Sequence, residues 1–481
     1  MLLRYVLDCR ECVPPQGHCF FGRGGIVSSF SEWFCSIKEQ DWGIPQDRLL
    51  LLFWVFVYAC SIALGHEKYL PVEQAFWGFN QPHYNAVTLI VAFLLLGSTA
   101  AFLPLDFKKP SSLFVYAIFF FVYVPSLVIA MLNYEDSLQR YFWLFFNFSS
   151  GLVFCCIAVR CGTFPGEGDK GPSQLLIGIS FAGAALCFAI LYNTYGSILS
   201  FSGLDQVYQQ REAGAATSLF VGYCQVYLAY VFSPCLFVFG LLYKRILFLF
   251  VGFGGFVFVY MITAERTILL LPFAIFVISL MFKWRGFGVS NPRGLFVVGA
   301  LGVTLISLLF DRSGVFNQLG FYFFTRLIAV PGLFVSQYYD LFSGQGYTYW
   351  SHVSIIGGLA ETPLAYVGDE KWPALGKILA ERVLGVESQS NASFVATDGV
   401  AALGDVGVFL IFVVYTVWLL LLDRVTSGWN RMFVIAVLFP LAFVSTNGSF
   451  FTMLTSFGGA FWLLVFFMDK YKIRLTRGEG E

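Results

Sequence analysis

Charge is what this sequence has little of. Only 12% of its 481 residues are Asp, Glu, Lys or Arg, while 58% are hydrophobic and the mean hydropathy is +0.74. A soluble domain carries about 25% charged residues, so this chain has too little polar surface to cover itself in water. That excludes an ordinary soluble domain and predicts a polytopic membrane protein. The net charge is zero, which leaves no basic excess for nucleic acid. No Asp-x-Asp lies in an expected external loop, so no bound divalent ion is expected for a nucleotide-sugar donor. No Gly-x-x-x-x-Gly-Lys-Ser/Thr loop occurs, so ATP is not the expected energy source. The interiors of the apolar runs almost lack Asp, Glu and Lys, which an ion-coupled transporter would usually carry. No compact apolar core follows a basic start, so no signal peptide is expected, and no long repeat stands out.

What is abundant is phenylalanine, with 57 residues. Most of these rings read as lipid-facing bulk, although aromatic rings in a cavity can also stack on sugars. The 11 cysteines fall in expected spans or on the expected inner side, which argues against a disulfide framework. Cys9-x-x-Cys12 with His18-Cys19 has a faint zinc look, but no second matching pair follows, and ordinary reduced thiols are expected. No metal and no cofactor are expected.

The apolar runs predict an all-α fold of about twelve transmembrane helices, at the ~20 residues a bilayer crossing needs. Residues 1–48 read as a cytoplasmic or interfacial segment and 49–310 as nine helices. Residues 311–399 read as one long external loop, 400–468 as three more helices, and 469–481 as a tail. Most of the 29 basic residues lie in segments that share one side if both termini are cytoplasmic, which puts the long loop outside.

The basic residues on the outer side then need a reason. Arg266 lies in Thr263-Ala-Glu265-Arg266-Thr267, the only polar break between two apolar runs. Glu265 and Arg266 fit an interface anchor for the hairpin as well as an arginine aimed at an anion such as phosphate. Arg211 precedes a span and a string of small residues that would let a substrate approach the backbone, or it is a solvated loop charge, and Arg326 lies among apolar neighbours, where it either snorkels or lines a polar site. His352 follows Tyr347, Tyr349 and Trp350 in the long loop. An imidazole there could act as a general base or simply hold the loop. Asp398 closes the string Asn391-Ala-Ser-Phe-Val-Ala-Thr-Asp398-Gly399.

This pattern resembles the bacterial oligosaccharide repeat-unit polymerases, the Wzy-type O-antigen polymerases. The strings that carry the resemblance are Ala264-Glu265-Arg266-Thr267, Arg326 with Pro331 and Tyr338-Tyr339, and Asn391 to Gly399 leading into Leu403-Gly404-Asp405. It covers roughly residue 211 to the C-terminus and rests more on architecture than on exact residues. The resemblance implies a membrane-embedded, C-type, metal-independent glycosyltransferase of the bacterial inner membrane. Such an enzyme joins undecaprenyl-pyrophosphate-linked oligosaccharides on the periplasmic face during lipopolysaccharide and surface-polysaccharide biosynthesis, in some cases beside a chain-length regulator protein. Arg211, Arg266 and Arg326 would bind the pyrophosphates. Tyr338, Tyr339, Tyr349 and Asn391 would bind sugar, and His352, with Asp398 as its rival, would be the base. An O-antigen ligase of the same architecture and a lipid-linked oligosaccharide flippase are the alternatives.

Overall fold

The computed structural model describes residues 46–162, 168, 170–201, 207–215, 218–283, 292–353, 356 and 374–477. The cysteine cluster near Cys9, and almost all of the expected N-terminal segment, lie outside them. The first half runs α1 (Gln46–Lys68), α2 (Ala86–Ala101), α3 (Pro110–Asn133), α4 (Ser137–Cys161), α5 (Gln174–Tyr195), a short α6 (Val207–Ala213), α7 (Leu219–Leu242), α8 (Ile246–Thr263) and α9 (Arg266–Lys283). The second half runs α10 (Arg293–Leu309), α11 (Gly314–Gln345), α12 (Leu375–Arg382), α13 (Val395–Thr426), α14 (Arg431–Ser445), α15 (Phe450–Thr455) and α16 (Gly459–Arg477). The described residues contain no strand beyond an isolated bridge between Lys170 and Trp429. Among the described residues, eight helices are long and apolar enough to cross a membrane, which makes this a multi-pass membrane protein. α2, α9, α10 and α14 are shorter apolar helices. The last expected span is broken near Gly458, whose φ is 84°, into α15 and α16. The described cysteines are free thiols.

Hydrogen bonds sort the helix ends into two sets. At one end, Arg48 donates to the carbonyl of Ala101, and Lys109 Nζ reaches the carbonyl of Gly162 at 2.6 Å, satisfying the last turn of α4. Arg293 pairs with Asp47 at 3.2 Å, and Lys170 pairs with Asp469. At the other end, Asn80 and Asn133 bond reciprocally, Tyr195 donates to Ala215 at 2.9 Å, and Tyr230 donates to Glu265 at 3.3 Å. The described basic residues expected inside gather at the first end, and Arg140, Arg211 and Arg266 lie at the second.

Helix α11 falls in the expected external loop, where the apolar flanks of Arg326 read as a helix lying on the membrane or dipping into it. Its 32 residues would span ~48 Å as a helix, well beyond a hydrocarbon core of ~30 Å. Both of its ends nevertheless meet the second end of the bundle. Asn317 there accepts from Tyr69 at 3.3 Å and donates to Glu73 at 2.9 Å. Asp340 takes Arg140 and Tyr141, each at 2.8 Å. Between them Gly332 lies so close to Pro125 and Ser126 of α3 that a Cβ would sit 2.7 Å from the Ser126 nitrogen. The helix therefore dips into the bundle and returns.

Close backbone approach also joins α7 to α8. A Cβ on Gly240 would lie 2.2 Å from the Leu249 nitrogen, and one on Gly252 2.4 Å from the Phe237 nitrogen. Small residues of this kind let membrane helices gain contact area where lipid supplies no hydrophobic drive. At the first end, buried Asp423 receives both the Ser111 backbone N–H, at 3.0 Å, and the Ser111 hydroxyl, at 2.6 Å. Replacing Asp423 with Leu strands both donors, at a cost of roughly 1–3 kcal/mol each when buried. The expected result is a clearly lower melting temperature in detergent. Asp47→Ala, at an exposed ion pair, is expected to change stability by no more than about 0.5 kcal/mol.

Candidate functional site

The site begins with a break in α13. Leu403 (φ −155°, ψ 29°) and Gly404 (φ 65°, ψ −143°) are not helical. Gly404 is required twice over: its φ is left-handed, and a Cβ would stand 2.6 Å from the Tyr347 hydroxyl. The break frees the carbonyls of Ala401 and Ala402, which accept from the backbone N–H groups of Thr348 and Tyr349 at 2.8 and 2.9 Å. Tyr349 and Trp350 are left-handed as well, with φ of 49° and 59°. Such strain in non-glycine residues costs roughly 1–3 kcal/mol per residue and persists only where neighbours over-determine it. Here the neighbours are Ala402 and Asp398, whose carbonyl accepts from Trp350 Nε1 at 2.9 Å.

This docking puts His352 beside Asp398. Thr348 Oγ1 and His352 Nδ1 are 2.8 Å apart, and His352 Nε2 lies 3.6 Å from Asp398 Oδ1. The Asp398 side chain is 0% exposed and that of His352 9%. Asp398 is anchored through both oxygens: Ser449 Oγ donates to Oδ1 at 2.9 Å, and the Phe450 N–H, an orphan donor at the start of α15, donates to Oδ2 at 2.5 Å. The carboxylate is thus a fixed acceptor behind the imidazole.

In front of them is a cavity of about 690 Å³. Tyr338 and His352 form part of its wall, with Asn391, Gln389 and Asn447, the phenols of Tyr223 and Tyr230, and the Glu265 carboxyl. No described residue of the wall is Lys or Arg. Tyr338 Oη and His352 Nε2 are buried without a hydrogen-bond partner, which is unusual for native polar groups. Burial pushes the Glu265 carboxyl above the usual carboxylate range, against the smaller opposing pulls of Tyr230 and the Arg211 charge.

Arg266 lies between Glu265 and Thr267 of this wall. Arg266 donates to the Tyr322 hydroxyl and stacks on its ring at 5.1 Å, and Arg326 lies over the neighbouring Phe321 at 5.2 Å and over Trp77 at 4.4 Å. Arg211 is exposed on α6 and near enough to Glu265 to bias its charge. The two arginines of the α9 and α11 segments thus meet through Phe321-Tyr322, and Arg211 joins them through Glu265-Arg266.

Of the residues expected from sequence, the structure brings Tyr338, Asn391, His352 and Asp398 to one place. Tyr339 instead packs toward Tyr141, with ring centroids 6.1 Å apart, and Tyr349 is exposed, its ring 6.5 Å from that of Tyr347. Glu265, Tyr230, Gln389, Asn447 and Ser449 were not expected as site residues. Glu265 had a signal, since it sits in the hairpin singled out for Arg266. The others carry none, because they enter the site through the fold alone. Among the described residues no group of His, Cys, Asp and Glu could hold a metal.

Gly404→Ala is expected to dislodge residues 347–352. His352, enclosed here, then becomes reactive to an imidazole-modifying reagent, read by mass spectrometry; unchanged protection refutes the docking role. A carboxyl raised on folding contributes stability that is full below its unfolded pKa, near 4.3, and lost as pH climbs through the folded value. Glu265→Gln keeps an acceptor for Tyr230 and removes that loss. Its melting temperature is expected to match the unaltered protein at pH 4 and to exceed it increasingly toward pH 8.

No protein-family model matches this chain, and neither a curated protein nor a solved structure shows significant similarity to it.

Proposed function

We propose that this protein is a polymerase that joins undecaprenyl-pyrophosphate-linked oligosaccharide repeat units into a surface polysaccharide on the periplasmic face of a bacterial inner membrane. The observation that carries the reading is the cavity. Its described wall sets amides, hydroxyls, phenols, an imidazole and a carboxyl among apolar side chains such as Leu375, Phe443 and Phe457, a mixture that can hydrogen-bond to sugar hydroxyls and pack on sugar rings. The cations stand outside it, at Arg211, Arg266 and Arg326. That separation suits a substrate with a polar, uncharged head and a pyrophosphate behind it, since guanidinium groups take phosphate oxygens in pairs. Developing negative charge on the leaving pyrophosphate would be met by those arginines, which is where preorganised charge accelerates transfer most. Phe-rich helix faces, such as exposed Phe250, Phe273 and Phe276 on α8 and α9, offer apolar walls for the polyprenyl chain.

The test is genetic and visible on a gel. Deleting the gene is expected to leave single-repeat products at the cell surface. Long lipid-linked polymer that fails to reach its acceptor would instead identify a ligase, and loss of all outward lipid-linked units a flippase. Replacing Arg266 with Ala removes a charged contact worth ~1.5–3 kcal/mol, a loss of about tenfold or more in rate, so chains are expected to shorten sharply at normal protein level. Normal polymer from the Arg211, Arg266 and Arg326 variants would refute the phosphate assignment.

A further inference from the structure

Two carboxyls and an imidazole lie in or against the described cavity wall, and they differ in what their reactive atoms already do. Both Asp398 oxygens are occupied, and its side chain is fully buried. His352 is tied at Nδ1 to Thr348, and its Nε2 is enclosed against Asp398, so a proton can reach it only if the ring swings out. Glu265 is different. It lines the cavity, its Oε1 accepts from Tyr230 at 3.3 Å, and its Oε2 carries no hydrogen bond from a described residue.

We propose that Glu265 takes the proton from the attacking sugar hydroxyl, while the His352 ring, fixed in the wall by Thr348 and Asp398, packs against that sugar. This rests on the polymerase reading above. The backbone aims the carboxyl deliberately. Ala264 is buried with φ 49° and ψ 28°, a left-handed alanine that ends α8, and α9 starts at Arg266, so Glu265 is the residue between. Thr263 Oγ1 accepts from its N–H at 3.3 Å, and its carbonyl accepts from Ile268 at 3.0 Å. The charged and titratable groups around it are Tyr230 and Tyr223 on α7, Arg211 on α6, Arg266 on α9 and His352 in the same wall. With no described cation in that wall, burial raises the carboxyl above the usual carboxylate range, which is the direction a general base needs.

The step balances without a further reactant. The hydroxyl oxygen of one lipid-linked unit bonds to the anomeric carbon of another. The bond from that carbon to the pyrophosphate oxygen breaks, and its electron pair leaves with the polyprenyl pyrophosphate. The hydroxyl proton passes to Glu265 and then to water.

The experiment uses the purified full-length chain in detergent, with lipid-linked repeat units extracted from a strain lacking it, and follows chain elongation against pH. The unaltered protein is expected to gain rate along an acid limb. Glu265→Gln is expected to lose ~10²- to 10⁴-fold in kcat, the usual contribution of a general base, with KM little changed and the acid limb gone. Glu265→Asp should recover part of the rate. His352→Asn should raise KM and keep the limb. An active Glu265→Gln protein with its acid limb intact overturns the proposal, as does a His352→Asn protein that loses the limb. No elongation by the unaltered protein overturns the polymerase reading itself, a separate result. Glu265→Gln protein that melts no lower than the unaltered protein shows that its loss of rate is not a loss of fold.

Discussion

The break at Leu403–Gly404 is the constraint on which the candidate site depends. Inside a membrane protein a freed carbonyl has no water to turn to, and leaving it unpaired costs several kcal/mol. Two carbonyls are freed here, at Ala401 and Ala402, and the backbone of Thr348 and Tyr349 satisfies both. The same two hydrogen bonds hold a chain segment whose next residues are strained. A regular helix through residue 404 would close its own ladder and leave that segment no partner. His352 would then lose its place beside Asp398. One glycine thus links a helix irregularity to the position of an imidazole more than fifty residues before it.

The sequence makes the class of the fold legible, because depletion of charge and apolar runs are properties of composition and period. It also shows the polar hairpin at Glu265-Arg266, since two charges between apolar runs are conspicuous. It shows a dipping helix around Arg326 through the apolar flanks, but hides that this helix runs for 32 residues and rests both ends on one end of the bundle. It hides the docking of residues 347–352, because Tyr349 and Trp350 take left-handed conformations without the Gly or Asn that advertises them. The pairing of Arg140 with Asp340 joins residues 200 apart in sequence, and nothing local marks it.

Separation of charge is the second organising feature. Arginine in the cavity wall would hold Glu265 ionised and weakly basic, because an opposite charge at close range favours the carboxylate. Aromatic rings keep the guanidinium groups nearby but outside that wall. Arg266 rests on Tyr322, and Arg326 on Phe321 and Trp77. At Arg266, cation–π contact holds the charge in place without neutralising it, as a carboxylate partner would. Cations for an anionic group and a basic carboxyl for a hydroxyl can then operate a few residues apart.

The wide helical turns make the same point about cost. Residues Phe119–Tyr123, Leu228–Phe232 and Gly320–Ala329 are π-helical, and each is followed within two residues by a proline, Pro125, Pro234 or Pro331. The missing N–H and the ring's clash with the preceding turn account for these three. The fourth, Val395–Val400, has no proline after it. It carries Thr397 in the cavity wall and Asp398 behind His352. The break at Leu403–Gly404 follows it, and the Asp398 side chain accepts from Ser449 and Phe450 while its carbonyl accepts from Trp350. Irregular turns of this kind gather at functional sites, and two of these four meet the cavity, one through Tyr230 and one through Thr397.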